Sequence, residues 1–540
     1  MKRILLTSSA LLALSLPALA DPVKLPSAVV KPAEDVLAPG LAEVPVAEGA
    51  FKLENPSKDL GYYGYGKDGP LAPAKGAVQS PGHNVEATKT EPDKNTYLVM
   101  SGATGPAKGV KYGTHFLFQG HENGPKDAEG VIHGGLTRIN LDAAKAHRVT
   151  LMASTDVDGK ALPLIDGSAW DPFAKMLLLT SEEGKDGGVW IATADFPSKV
   201  TDISAFTGRA SYEGVEVDSD GNLWLVEDEG GKGGSKTKNA KQPNSFVYRF
   251  VPADKSDLTK GGKLQALQVL DAYNNPIVFH DGQTDQDILA PEQKLIYAYG
   301  NELPTRWITL KETAAGATET FDANELAKQA KATPMKRPEN GQFRPGTGFE
   351  EFYFTATGDT NAKTEAGAEF GGFGGVFRVT QASPSAEKGR LAIIWRGDVT
   401  HTGFDNLSFL NDTQLMVVED GGDKLHGQRN AVDSGYIADV TADYAKASTP
   451  DPIRFLSQTR DDMATIDASI GNADNGFQND GDNEITGIHV SNGDPTVEGL
   501  IGTAVPTPFE NGWRVFYTRQ HGRNITFEIV EAAAKAKPAK

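Results

Sequence analysis

Residues Tyr212–Gly230, YEGVEVDSDGNLWLVEDEG, read as two apolar strands joined at a tight turn and closed by a run of acids. Asp220-Gly221 supplies the hairpin turn before NLWLV. The same construction returns in LLLTSEEG around Glu182 and Glu183, in RPENG around Glu339, and in FYFTATGD, which ends at Asp359. It returns once more in DNLSFLNDTQLMVVEDGGD from Asp405. FQGHENG, with His121 and Glu122, is a degenerate copy, as is NEITGIHV with Glu484 followed by VFYTRQHG with His521. An imperfect repeat of short strands predicts a radial all-β architecture, a β-propeller. Closing such blades into a ring would bring acids from distant parts of the chain to one mouth. Carboxylates gathered there repel one another unless a hard cation neutralises them.

The 540 residues suit one large propeller, and 59 glycines with 31 prolines suit many short strands and turns. A formal charge of −19 excludes a general nucleic-acid binder, which needs a basic surface. Bound calcium would cancel part of that charge, although plain solubility explains it equally well. Only 39% of the residues are hydrophobic, against a polytopic membrane protein. Residues 1–20 read as an export signal: Lys2 and Arg3, an apolar run from Ile4 to Leu16, then Ala18-Leu19-Ala20. No later apolar run is long enough to span a bilayer, so the mature chain is expected to be periplasmic or secreted. There is no cysteine, which removes disulfides, thiolate metal sites and cysteine nucleophiles.

Residues 21–51 are expected to form an extended arm, 52–531 a single propeller domain and 532–540 a flexible tail. Strands are expected at TYLVM, THFLFQ, KMLLLT, GVWIAT, NLWLVE, FVYRF, KLIYAYG, EFYFTAT, GVFRV, LAIIW, TQLMVVE and RVFYTR. One helical insertion is expected over Phe321–Ala332, with Asp322 as N-cap and Glu325 completing a capping box. Lys232–Lys241 (KGGSKTKNAK) and Asn472–Asn483 read as mobile loops.

A single acid on an alternating strand is ordinarily a solvated face. Recurrence at one place in the repeat instead makes the set a candidate calcium centre. The candidates are Glu122, Glu182, Glu183, Glu213, Glu227, Asp228, Glu229, Glu339, Asp405, Asn406, Glu419, Asp420 and Glu484. DSDGNLWLVEDE falls short of an EF-hand because Leu223 stands where the loop needs glycine. In Arg337-Pro338-Glu339, a guanidinium fork suited to a phosphoryl group lies two residues from a possible metal ligand; a surface ion pair beside a turn is the plainer alternative. His121 and His521 are either ligands or structural histidines. Gly371–Gly375 (GGFGG) reads as a turn or blade edge, and no G-x-S-x-G elbow supports a serine nucleophile.

Taken together, GHEN (120–123), TSEE (180–183), YEGVEV with VEDE (212–229), RPENG (337–341), DNLSF (405–409) and NEITG (483–487) resemble the PhoX-like alkaline phosphatases of exported bacterial proteins. The resemblance implies a six-bladed propeller whose calcium-rich centre, also containing iron, hydrolyses phosphate monoesters. It implies that Arg337 contacts phosphate and that Glu339 and Glu213 bind metal; the recurrence of the acids adds Glu122, Glu182, Asp228, Asp405 and Glu484 to the expected ligand set. The family's iron-bridging cysteine falls at Ser181 by local string, or at GHEN by a rival alignment, and neither supplies sulfur. Nor does Lys2-Arg3 make the twin-arginine signal of cofactor-loaded members. Both departures point to a calcium centre without iron. The expected function is a calcium-dependent phosphoesterase acting on a small phosphorylated substrate. Its rivals are a non-catalytic calcium-binding propeller for a phosphorylated or acidic ligand, and a lactonase-like calcium hydrolase.

Overall fold

The computed structural model describes residues 35–67, 69, 71–73, 84–86, 88–459, 484–521 and 523–532. The expected export signal, the 472–483 loop and the tail beyond residue 532 lie outside the described residues. Within them the apolar runs become antiparallel strands, grouped in chain order into blades. Blade one is Pro92–Val99, His115–His121, Leu136–Asn140 and Val149–Ala153, and blade two runs from Ser168–Asp171 to Val200–Asp202. Blade three begins at Tyr212–Val217, blade four at Pro338–Phe343, blade five at Phe404–Phe409 and blade six at Glu484–Ser491. Each first strand packs against the first strands of the two adjacent blades, closing a ring of inner strands about one axis. The fold is a β-propeller.

The apolar runs are continuous because each sheet is covered on both faces. Successive side chains point to opposite faces, so each strand feeds two cores. Leu177 and Leu179 pack with Phe116, Phe118 and Leu136 of blade one. Leu178, between them, packs with Val215, Leu225 and Tyr248 of blade three. Likewise Val417 faces Tyr353 and Trp395 of blade four, while Met416 and Val418 face Ile485 and Val515 of blade six.

Ring closure uses the beginning of the described chain. Leu41–Glu48 is the outermost strand of blade six, pairing with Ile525–Glu531, and Val36–Leu37 adds to the edge of blade five. The extended arm expected over 21–51 is therefore, from residue 36, part of the propeller rather than a segment outside it. Its edge position accommodates Pro45, which has no N–H to donate. Asp35, buried, forms an ion pair with Arg519 of blade six and accepts from the Thr459 amide at 3.0 Å.

Blades three and four are joined at their outer edges by Leu303–Ala314, which pairs with both Gly261–Val269 and Lys388–Arg396. The connection after it carries the helix Ala323–Gln329, capped by Asp322, whose side chain accepts from the Glu325 amide at 2.8 Å. Only half of the expected capping box forms, because the Glu325 carboxylate turns to Gln329. KLIYAYG is not a strand. Pro291, already set for the first turn, starts the helix Pro291–Ile296 there. The loop Lys232–Lys241 is also not loose: Asp285 accepts from Ser235, Lys236 and Thr237, and Glu365 accepts from Asn239 at 2.9 and 3.0 Å.

Replacing Asp35 with alanine removes a buried carboxylate from the Arg519 guanidinium at the seam between blades five and six. We expect Asp35→Ala to lower unfolding free energy by about 3 kcal/mol in urea denaturation.

Candidate metal centre

The inner strands all start at the same end of the axis, and their acids gather there. In blades one, three, four and five the acid is the second residue of the inner strand: Asp93, Glu213, Glu339 and Asp405. Asp166 just precedes the inner strand of blade two, and Glu484 opens that of blade six. Four of these six strands carry a β-bulge at the acid, where the pairing register shifts, and blade six carries one further along, between Thr486 and His489. A bulge turns a side chain out of the regular alternation, here toward the axis. Small neighbours allow the close approach. A Cβ on Gly167 would fall 2.0 Å from the Glu213 carbonyl oxygen, and one on Gly214 would fall 2.8 Å from that of Glu339.

A second station recurs immediately after the second strand of a blade. Glu122, Glu182, Asp228, Asp420 and His521 occupy it in blades one, two, three, five and six. In blade four the place is taken by Thr357, whose hydroxyl donates to Glu339. Strand alternation sorts the acidic runs at these ends. Asp228 faces the centre, while Glu227 turns back to Tyr248 (2.8 Å) and the Phe246 amide (3.0 Å). Glu229 is held by the Ser211 hydroxyl at 2.7 Å, and Glu419 is paired with Arg429 at 3.1 Å.

Ligand atoms of Asp93, Glu122 and Glu484 lie within 4.8 Å of one another; so do those of Asp93, Asp166 and Glu213, and of Glu122, Asp166 and Glu182. The groups Glu182–Glu213–Asp228 and Glu213–Glu339–Asp405 extend the chain. All seven carboxylates expected from sequence (Glu122, Glu182, Glu213, Asp228, Glu339, Asp405 and Glu484) are therefore brought together. Asp93 and Asp166 were missed. Their signal was present: PDKN parallels PENG, and Asp166-Gly167 parallels Glu213-Gly214.

Burial, then mutual repulsion, holds Asp93, Asp166, Glu182, Glu213 and Glu484 well above the ordinary carboxylate range. Glu339 is also raised well above it, through burial and Asp228, although Arg337 pulls the other way. Asp405 is pushed up to about 7. Both carboxylate oxygens of Asp166, and Oδ2 of Asp405, are buried and accept no hydrogen bond. Unpartnered buried carboxylate oxygens in an oxygen-only donor set fit hard divalent cations, and the shared acids could bridge several of them.

Two cations of the chain are placed among these acids. Arg337 grips Asp228 through Nε at 2.9 Å and Nη2 at 2.5 Å, and Nη2 lies 3.7 Å from Glu339. Its backbone has φ of 57°, an uncommon conformation for a side-chain-bearing residue that sets the guanidinium at the head of the inner strand. Lys94 donates to Asn340 at 2.9 Å, and Asn340 in turn donates to Glu213 at 3.4 Å. His121 is no ligand here: its ring nitrogens lie 2.9 Å from the Thr90 and Thr137 hydroxyls, and burial lowers its pKa to about 3. His521 lies at the rim, 3.1 Å from Glu91 and 3.3 Å from Glu484.

Residues 239–498 match the family model of alkaline phosphatase PhoX. Among solved structures, PhoX of Pseudomonas fluorescens in complex with vanadate, a transition state analogue, is similar at 13% identity and a TM-score of 0.52. That match covers 94% of this chain and 98% of the other. TolB from Acinetobacter baumannii (10% identity, 74% of this chain, 60% of the other, TM-score 0.28) and Sqt1 from Chaetomium thermophilum (10%, 82%, 97%, 0.33) are fainter likenesses. No curated protein matches by sequence. Just under half of the chain, residues 239–498, thus matches the PhoX alkaline phosphatase family, on a propeller similar to that of PhoX and in a sequence without cysteine.

Proposed function

We propose that this protein is an exported, calcium-dependent phosphoesterase that hydrolyses phosphate monoesters at the axis of the propeller. The observation that carries the reading is the convergence of nine carboxylates, in overlapping groups, around one arginine fork. Calcium takes about six to eight oxygen ligands, and each group of three carboxylates would supply part of such a shell. Glu213 stands in three of the groups, so it would hold a cation together with residues of blades one to five. Cations held there supply Lewis-acid polarisation of a phosphoryl group. Arg337 adds a fixed positive charge. Two of its nitrogens are held by Asp228, which leaves Nη1 to meet a phosphoryl oxygen as negative charge develops.

The centre is proposed to work without iron. The two places where the family's thiolate would fall, Ser181 and His121, end the second strands of blades two and one. A serine hydroxyl is a poor iron ligand at neutral pH, and the His121 ring is already engaged on both nitrogens. An all-carboxylate donor set is the kind that suits calcium. Among the described residues no helix is long and apolar enough to cross a membrane, in keeping with an exported enzyme whose signal is residues 1–20.

Elemental analysis of the purified protein is expected to find calcium in stoichiometric or greater amount and no iron; one iron per chain would overturn the calcium-only assignment. Chelation is expected to lower the melting temperature and calcium to restore it. Calcium at a hundred times its dissociation constant contributes about 2.7 kcal/mol for one site. The calcium-loaded protein should hydrolyse a generic aryl phosphate, and Arg337→Ala should reduce turnover by about 10²–10³-fold with calcium content unchanged. Absence of turnover by the wild type, with calcium and with or without added iron, rules out the phosphoesterase reading.

A further inference from the structure

Lys241 closes the loop Lys232–Lys241, and its surroundings are unusual for a surface lysine. Carboxylates from three separate segments fasten this loop. Asp285 accepts from the amides and hydroxyls of Ser235 and Thr237, Glu365 accepts from Asn239, and Asp359 accepts from the Lys241 amide at 2.9 Å. The Gln242 side chain adds a bond to Asp287 at 2.8 Å. So many fixed points hold the Lys241 backbone against the segment after blade four's second strand, beside the Arg337 end of the centre.

Lys336 also reaches Asp359, but its ammonium is neutralised there, 2.9 Å from both carboxylate oxygens and buried with them. The Lys241 ammonium is not neutralised in this way. Among the described residues it forms no ion pair and no side-chain hydrogen bond. The loop places it beside the Arg337 end of the centre: Asp359, which accepts from the Lys241 amide at 2.9 Å, lies two residues after Thr357, whose amide donates to the Arg337 carbonyl at 2.8 Å. Two cations held near each other on rigid supports repel, unless an anion lies between them.

We propose that Lys241 is a second substrate-binding cation, which together with Arg337 clamps the phosphoryl group of the substrate. The inference rests on the phosphoesterase reading and deepens it. A phosphate monoester carries between one and two negative charges near neutral pH, whereas a diester carries one, so a paired clamp favours the monoester. The guanidinium offers a planar fork and the ammonium a point charge, a combination that holds a tetrahedral anion from two directions without matching one particular alcohol.

The test is calorimetric titration of the calcium-loaded protein with inorganic phosphate, followed by steady-state hydrolysis of an aryl phosphate monoester. Lys241→Ala keeps the backbone amide that holds the loop. It is expected to weaken phosphate binding by at least about tenfold, the equivalent of one charge-assisted hydrogen bond. The same variant should raise KM more than it lowers kcat, with melting temperature and calcium content unchanged. Lys241→Arg should recover most of the affinity. Wild-type phosphate affinity in Lys241→Ala, with the wild type itself binding phosphate, overturns the assignment of Lys241 alone. No phosphate binding by the calcium-loaded wild type overturns the clamp and the phosphoesterase reading together.

Discussion

Carboxylates crowded on one axis repel one another, and the rest of the molecule is arranged around that repulsion. At an effective dielectric constant of ~20, two unit charges ~4 Å apart oppose each other by about 4 kcal/mol. Nine acids in overlapping groups contain many such pairs, against a net stability of about 5–15 kcal/mol for a typical domain. The chain offsets part of this with its own cations. Arg337 is tied to Asp228, and Lys94 acts through Asn340 on Glu213. Lys336 contributes little, since Asp359 already neutralises it. What remains must be met by protons, which the raised carboxyls of Asp166 and Glu213 would retain, or by cations from solution. The same repulsion that strains the fold is what a bound hard cation would relieve.

Holding such a cluster requires a frame that cannot spread. Each inner strand is gripped by cores on both faces, so moving one acid outward would open two interblade contacts. The bulges at Glu213, Glu339 and Asp405 turn those acids out of the regular alternation while the rest of each inner strand stays paired. Closure depends on a strand that comes from the other end of the chain: Leu41–Glu48 completes blade six, and the buried Asp35–Arg519 pair fixes its approach. The axis is therefore held by contacts between segments far apart in sequence. A frame closed in this way can keep like charges together in a manner that an open sheet cannot.

Much of this was legible in the sequence, for identifiable reasons. The strands and the repeated acidic ends were readable because the apolar runs are long and the acids recur at one place in each. Which acid of a run faces the axis was not readable. Glu227 and Asp228 differ only by strand parity, and parity is set by pairing partners that the local string does not contain. PDKN and IDGS each carry a single acid, without the acid pairs of TSEE and VEDE, so Asp93 and Asp166 stand out only once the blades are aligned. KLIYAYG misled for a different reason: a short apolar run fits strand and helix alike, and Pro291 decided it. The Lys232–Lys241 loop has a mobile composition, yet its rigidity comes from Asp285, Asp359 and Glu365, all far downstream. Local composition cannot register partners of that kind.

The same stations explain why the position of the missing cysteine was ambiguous. GHEN and TSEE occupy equivalent places in adjacent blades, each ending the second strand with its acid turned inward. A short string compared with either therefore finds the same physical environment, and the radial repeat makes both alignments reasonable. What differs is the residue before the acid: a histidine locked between two threonines in blade one, and a buried serine hydroxyl with no hydrogen-bond partner in blade two. Neither presents a soft donor to the axis. Metal choice in such a site follows from donor softness and geometry more than from the fold that carries it. A propeller can thus keep its ring of acids, its bulges and its arginine while exchanging one atom type at one strand end. Such an exchange would leave an all-oxygen donor set at the axis, the chemistry that suits calcium.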